Sequence, residues 1–159
     1  KLNVDALGHQ LLESIKIKKK LCLHFGNHIL EKKHISRKKL RQFLAQNPKK
    51  IVLLNKIIHP FLQKEIKNQI QKAKKRKQNL VIDCSLVEQL QLTSSFDVLV
   101  LITASEKIMA KRRKKSWTKK QQIFFRKQQK MPKAPDFIIN NAGTKQELKK
   151  NIQKIAKQF

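Results

Sequence analysis

The chain has 159 residues, of which 40% are hydrophobic, and this composition excludes a disordered protein and predicts one domain with, at most, small subdomains. Its 38 Lys and Arg residues far outnumber ten Asp and Glu residues, so the formal net charge is +28. Such a surface attracts polyanions of any kind, including nucleic acid, acidic membranes, nucleotides and coenzymes. A biased base composition of the source genome would produce the same excess of Lys without any function.

The two cysteines, Cys22 and Cys84, lie far apart, and no CxxC or HxxxH pair accompanies them. This pattern excludes a four-thiolate metal site and is typical of a protein in the reducing cytoplasm. No apolar run approaches the roughly 20 residues that span a bilayer, so we expect no membrane partner. No signal peptide is visible. Because the chain begins with Lys rather than Met, we expect its true N-terminus to be missing.

The first half of the chain predicts a strand stub at residues 2–5 and helices around residues 7–15, 36–46 and 51–70. Ser36 is a good N-cap for the second helix, and Asn47-Pro48 ends it. Pro60 lies inside the third helix and predicts a kink or a split near His59. Residues 18–35 predict a loop or an irregular helix.

Three continuous apolar runs in the second half predict strands, at residues 80–82, 98–102 and 137–139. Runs without alternation are typical of strands that are buried on both faces of a parallel sheet. Helix starts are predicted at Ser105, at Thr118 with Gln121, and at Thr144 with Glu147. The alternation of strands and helices favours a layered α/β fold, in which we expect the three runs to share one parallel sheet.

Polar side chains follow the predicted strands. Asp5 follows the first stub, Asp83 follows the second strand, and Asn140-Asn141 follow the last strand. Ligands of open parallel sheets bind at the carboxyl ends of the strands, so we expect these residues to face one crevice. The alternative is that Asp and Asn end these strands because of turn chemistry alone.

Six segments carry short motifs in a fixed order: Val4–Leu12, Ile35–Leu40, Ile57–Pro60, Leu80–Glu88, Phe96–Val100 and Ala134–Thr144. Their order and spacing resemble the dephospho-CoA kinase family over nearly the whole chain, although each motif alone is weak. The family carries two aspartates around an alanine in the first segment. Asp5 matches the second aspartate, whereas Asn3 replaces the first. The family's Pro-Leu-Leu-Phe-Glu turn is matched by residues 84–88 with one residue missing, which puts that alignment in doubt.

The resemblance implies an α/β fold with a three-layer P-loop kinase-like parallel sheet, a helical substrate subdomain and a helical lid. It implies a helical CoA-binding part at residues 10–79, core strands at 80–105, a lid at 106–133, and the last strand and C-terminal helix at 134–159. The implied activity is the phosphorylation of the ribose 3′-hydroxyl of dephospho-CoA, with ATP and Mg²⁺, in the last step of coenzyme A biosynthesis.

The resemblance also implies residue roles. Asp5 would accept the proton of the 3′-hydroxyl. The resemblance implies substrate contacts for Arg37, His59, Leu86 and Glu88. It implies nucleotide contacts for Arg113, Arg126, Asn141 and Gly143. It implies a metal contact for Asp83. Alternatives stay open, because Asp5 could be a strand-terminating residue, His59 a structural hydrogen-bonding residue and Arg37 a solvated charge. The register of the lid cations, Lys111, Arg112, Arg113 and Lys115, is ambiguous.

The sequence departs from a complete kinase in one respect: no phosphate-binding GxxxxGKS/T motif is present. We expect truncation rather than degeneration to explain this, and we expect the chain as printed to lack substantial activity. The alternatives are an inactive kinase-fold scaffold and a basic nucleic-acid-binding protein. One Trp and no Tyr offer little base stacking, so we expect nucleic acid to bind only non-specifically, through net charge.

Overall fold

The computed structural model describes residues 1–112 and 130–158, and the chain divides into two compact units, unit 1 (Lys1–Ser95) and unit 2 (Phe96–Phe159). Unit 1 contains, in order, β1 (Leu2–Asn3), α1 (Val4–Leu11), α2 (Ile15–Phe25), β2 (Leu30–Glu31), β3 (His34–Ile35), α3 (Arg37–Gln46), α4 (Lys50–Lys75) and β4 (Ile82–Asp83), with short 3₁₀ helices at Asn27–Ile29 and Thr93–Ser95. Unit 2 contains β5 (Val100–Thr103), α5 (Glu106–Arg112), β6 (Phe137–Asn140) and α6 (Lys145–Ala156).

The hydrophobic core of unit 1 forms where α1 and α2 pack against α4. Its most deeply buried side chains are Ile17, Leu21, Ile29, Ile66, Leu90 and Leu92. The last two belong to the loop after β4, which is attached to α4 because the Gln63 side-chain amide donates to the Leu90 carbonyl at 2.6 Å. Burying each such side chain stabilises the fold by about 1.5–3 kcal/mol, so this loop is part of the core rather than a surface connection.

Helix α4 runs through Pro60 without interruption, so the predicted split near His59 is wrong. Proline lacks the N–H that would bond one turn back, which costs about 3 kcal/mol in a helix interior. The flanking residues Ile57, Leu62 and Ile66 are all buried, and their packing offsets this loss. Tertiary burial therefore overrides the local preference of proline.

Residues 18–35 form more regular structure than the sequence predicted. Helix α2 continues to Phe25, and the antiparallel hairpin β2–β3 follows the 3₁₀ turn. The two residues that connect β2 to β3 are Lys32 and Lys33, with φ angles of 45° and 66°. Hairpin turns with positive φ at both positions normally use Asn or Gly, and the Lys-Lys pair gave no such signal.

The strands form two parallel pairs, one in each unit: β1 with β4, and β5 with β6. The run at residues 80–82 thus pairs with the N-terminal strand, whereas the other two runs pair with each other. The single hydrogen-bonded sheet expected for all three runs is not formed within the described residues, while parallel pairing beside helices confirms the α/β class.

In unit 2, the helix starts that the structure describes agree with those predicted from the sequence. The Ser105 hydroxyl accepts from the Ile108 N–H at the start of α5, at 3.4 Å. Thr144 and Glu147 form the predicted capping box at the start of α6. The predicted start at Thr118 lies outside the described residues. In unit 1, Ser36 occupies the N-cap position of α3, but its hydroxyl donates to Glu31 instead of capping the helix.

No described helix, including the 26-residue α4, is both long enough and apolar enough to cross a membrane. The division into a helical part at residues 10–79, core strands at 80–105, a lid at 106–133 and a final segment at 134–159 stays a prediction.

The strained hairpin turn yields a stability prediction. Lys33→Gly should raise the free energy of unfolding by about 1 kcal/mol, because glycine adopts φ of 66° without the steric cost that lysine pays. Urea denaturation followed by circular dichroism measures this change. The matched control, Lys67→Gly within α4, should lower it by about 1 kcal/mol. A loss of stability in Lys33→Gly would contradict the assignment of strain to this turn.

Candidate active site

The side chain of Asn3 joins the two strand ends of unit 1. Strands β1 and β4 are in register, with Asn3 opposite Asp83. The Asn3 amide donates to the Asp83 carboxylate at 3.1 Å, and its oxygen accepts from the Ala6 N–H at 2.8 Å. The same residue therefore caps α1 and ties its start to the end of β4.

Asp5 lies in the first turn of α1 and is exposed. The strand ends at Asn3, so the alternative that Asp5 is a strand-terminating residue is wrong. A carboxylate at this place is favoured by the partial positive charge of the helix N-terminus. Exposure leaves the carboxylate accessible to a ligand.

Cys84 shows that Asp5 and Asp83 share one end of the β1–β4 pair. The pKa of the Cys84 thiol is raised, mainly by burial. A backbone hydrogen bond at Leu86 lowers this pKa, whereas the negative charges of Asp5 and Asp83 raise it further. The thiol consequently stays protonated and is a poor nucleophile.

A second group of charges surrounds His9, one helical turn after Asp5. Burial lowers the pKa of His9 most, Arg37 and Arg41 lower it further, and Asp5 opposes them. These four residues, Asp5, His9, Arg37 and Arg41, are called the His9 cluster below. Arg37, a predicted substrate residue, and Asp5, the predicted catalytic carboxylate, thus both act on the same imidazole.

The other predicted substrate residues have local structural contacts. His59 is half-buried in α4, and burial lowers the pKa of its imidazole. The Glu88 carboxylate accepts from the Thr93 hydroxyl at 3.2 Å, and the Leu86 carbonyl accepts from the Leu90 N–H at 2.9 Å. These bonds shape the loop after β4, and contacts of these residues with substrate stay predictions.

In unit 2, the predicted nucleotide residues Asn141 and Gly143 lie in the turn between β6 and α6. The Asn141 N–H donates to the Thr103 carbonyl at 2.7 Å, which extends the β5–β6 ladder by one bond. A Cβ atom at Gly143 would meet the Glu147 carboxylate, so a side chain there would displace Glu147 from its place in the capping box of α6. The predicted nucleotide residues Arg113 and Arg126 lie outside the described residues. A crevice shared by Asp5, Asp83 and Asn141 stays a prediction.

The sequence did not single out His9, Arg41, Asn3 or Cys84 as site residues. The spacing of Asp5 to His9, and of Arg37 to Arg41, is one helical turn in each case, and this was the available signal. Where the structure describes the chain, it contains no group of three or more His, Cys, Asp and Glu side chains that could hold a metal ion.

Exposed carboxylates at the end of β4 and in the helix that follows β1, beside a parallel strand pair, are typical of an α/β protein suited to phosphoryl transfer. A family model described as dephospho-CoA kinase matches residues 2–147. The chain is 31% identical to the dephospho-CoA kinase of Enterococcus faecalis over 137 residues, which cover 82% of this chain and 69% of that protein. It is 26% identical to the dephospho-CoA kinase of Helicobacter pylori over 98% of this chain and 83% of that protein.

A solved structure agrees with the fold. The dephospho-CoA kinase from Campylobacter jejuni superposes with a TM-score of 0.63 and 22% sequence identity, over 99% of this chain and 85% of that one. This confirms the kinase-like α/β fold that the sequence predicted. From the family model and the relatives together, the chain belongs to the dephospho-CoA kinase family.

Within the His9 cluster, we expect the positive and the negative charges to shift the pKa of His9 in opposite directions. Arg37→Gln should raise the pKa of His9, because it removes a nearby positive charge, whereas Asp5→Asn should lower it further. A pH titration of the imidazole resonances by NMR measures both shifts. Arg76→Gln, at the end of α4, is the control and should leave His9 unchanged. Identical His9 titrations in all variants would show that the cluster is not formed.

Proposed function

We propose that the His9 cluster is the phosphoryl-acceptor site of this dephospho-CoA kinase, at which the ribose 3′-hydroxyl of dephospho-CoA receives the γ-phosphoryl group of ATP. The single observation that carries this proposal is the exposed Asp5 carboxylate in the first turn of α1, one turn before His9, on which Arg37 and Arg41 also act. A carboxylate there can accept the proton of the attacking hydroxyl. The two cations match the negatively charged phosphates of dephospho-CoA.

Phosphoryl transfer asks little covalent chemistry of the protein, because catalysis comes mainly from alignment and charge stabilisation. The forked guanidinium of Arg37 suits a phosphate better than an ammonium group does. His9, whose pKa is lowered, is held toward its neutral form. Neutral imidazole can donate one hydrogen bond and accept another, so we assign His9 to orienting the acceptor rather than to adding charge.

The base of ATP is assigned to the turn at Asn141 and Gly143 in unit 2. An Asn side-chain amide can donate to and accept from one base edge at the same time. Glycine permits close approach of the backbone. Arg113 and Arg126 are proposed to contact the nucleotide phosphates, as the family lid implies.

Mg²⁺ is proposed as the metal of the reaction, with Asp83 as its protein ligand. Mg²⁺ prefers oxygen ligands and is commonly held by one or two carboxylates together with substrate phosphates and water. Asp83 fits this chemistry, because its carboxylate is exposed, ends β4 and is oriented by the Asn3 amide. When bound, the metal would neutralise phosphate charge. We also propose the cytoplasm as the location, since two free cysteines suit a reducing compartment.

Asp5→Asn tests the function. We propose that activity needs a strand–loop–helix with a GxxxxGKS/T motif joined upstream, because the printed sequence contains no such motif to bind the β- and γ-phosphates through backbone N–H groups. In the protein carrying that segment, Asp5→Asn should lower kcat by roughly 100-fold or more while the affinity for ATP stays within about twofold, because shape is kept and the proton acceptor is lost. A coupled assay of ADP release with dephospho-CoA as substrate measures kcat.

Glu13→Gln is the matched control for this experiment. Glu13 is another carboxylate of unit 1, and it pairs with His34 at 2.8 Å, so its loss should leave kcat unchanged. Equal turnover in Asp5→Asn and the unmutated protein would remove the catalytic assignment of Asp5. No turnover in any of them would favour an inactive scaffold.

A further inference from the structure

Arg112 forms hydrogen bonds with the turn between β6 and α6. It is the last residue of α5, and its two terminal nitrogens donate to two backbone carbonyls: Nη1 to Asn141 at 2.8 Å and Nη2 to Gly143 at 3.0 Å. The planar fork of a guanidinium matches two acceptors at this spacing, which a single ammonium group cannot do. The contact crosses 29 to 31 residues of sequence, so it fixes α5 to this turn.

The turn is also held at both ends. The Asn141 N–H bonds to the Thr103 carbonyl at its start, and the Glu147 carboxylate accepts from the Thr144 N–H at 2.7 Å at its end. Arg112 acts between these two anchors, on the carbonyls of the residues proposed to meet the base. Without these hydrogen bonds the backbone turn has more accessible conformations. Ordering it on ligand binding then costs conformational entropy, which lowers the affinity.

A cavity of about 450 Å³ lies against the same turn, within unit 2. Its lining includes Asn140, Asn141, Gly143, Thr144 and Leu148. This volume lies in the range of small-molecule sites, and the lining offers amide and hydroxyl groups, one apolar side chain, and the charged side chains of Glu147, Lys150 and Lys154. The carbonyls that Arg112 holds therefore border a space that could admit a purine base.

We propose that Arg112 is a positioning residue that sets the turn at residues 141–143 for adenine, and so contributes to the choice of adenine over guanine. The inference rests on the proposed nucleotide role of Asn141 and Gly143. It differs from the phosphate-binding role that a lid arginine would have, because both terminal nitrogens of Arg112 already bond to the protein's own carbonyls. Arg112 thus acts through the turn and not on the reacting phosphate.

The test uses the chain as printed, with Arg112→Ala, Arg112→Lys and, as the control, Lys107→Ala, which removes another exposed cation of α5. Amide hydrogen exchange at Asn141 and Thr144 reports the order of the turn. NMR titrations with AMP and with GMP give the two affinities, and their ratio cancels non-specific attraction to a basic protein. Neither measurement involves phosphoryl transfer.

In Arg112→Ala we expect exchange at these amides to quicken by roughly tenfold, and the preference for AMP over GMP to fall by roughly fivefold. Arg112→Lys should be intermediate, because it keeps the charge but loses the fork. Lys107→Ala should behave as the unmutated chain. Any of three results would overturn the inference. These are unchanged amide exchange in Arg112→Ala, full recovery of both amide exchange and AMP preference in Arg112→Lys, and no preference for AMP in the unmutated chain. No phosphorylation of dephospho-CoA by the protein that carries the upstream segment, with these results intact, would overturn the proposed function alone.

Discussion

The amide side chain of Asn3 is the contact on which the geometry of unit 1 depends. Its oxygen caps α1 and its nitrogen donates to Asp83, so one residue fixes both the start of the helix and the end of β4. An amide can do both because it carries an acceptor and donors together, whereas an ionised carboxylate can only accept. The aspartate of the family motif would keep the cap and place a second negative charge against Asp83. With asparagine, the cap at the start of α1 is kept, and Asp5 lies in the first turn of that helix.

The excess of positive charge shapes the chemistry of this scaffold. Ten carboxylates cannot neutralise 38 cations, so most Lys and Arg side chains repel their neighbours. The same repulsion is visible locally, where Arg37 and Arg41 lower the pKa of His9. A polyanionic ligand relieves this repulsion when it binds, and both dephospho-CoA and ATP are polyanions. Net charge attracts nucleic acid by the same means, and salt screens both interactions. Selectivity must therefore come from placed groups such as Asp5 and the turn at Asn141.

The sequence predicted the elements whose signals are local. The capping box of α6, the strands β5 and β6 and the end of α3 before Pro48 all follow from residues within a few positions of one another. The β2–β3 hairpin was missed because Lys32-Lys33 is not typical turn chemistry, and the continuity of α4 through Pro60 depends on burial. The His9 cluster combines side chains from α1 and α3, and no local pattern encodes how two helices lie. Motif resemblance located Asp5 and Arg37, but it could not reveal their electrostatic partners.

The two units use different physical means for their proposed roles, and this has a consequence for substitution. In unit 1 the proposed roles depend on side chains, because proton acceptance would use the carboxylate of Asp5 and phosphate binding would use the charge of Arg37. In unit 2 the proposed roles depend on backbone geometry, since Arg112 bonds to carbonyls and Gly143 provides space for Glu147. A turn defined by carbonyls and a capping box keeps its shape through many exchanges of exposed side chains. The acceptor site should therefore be the less tolerant of the two to a change of residue type, and the base site the less tolerant to a change of backbone conformation.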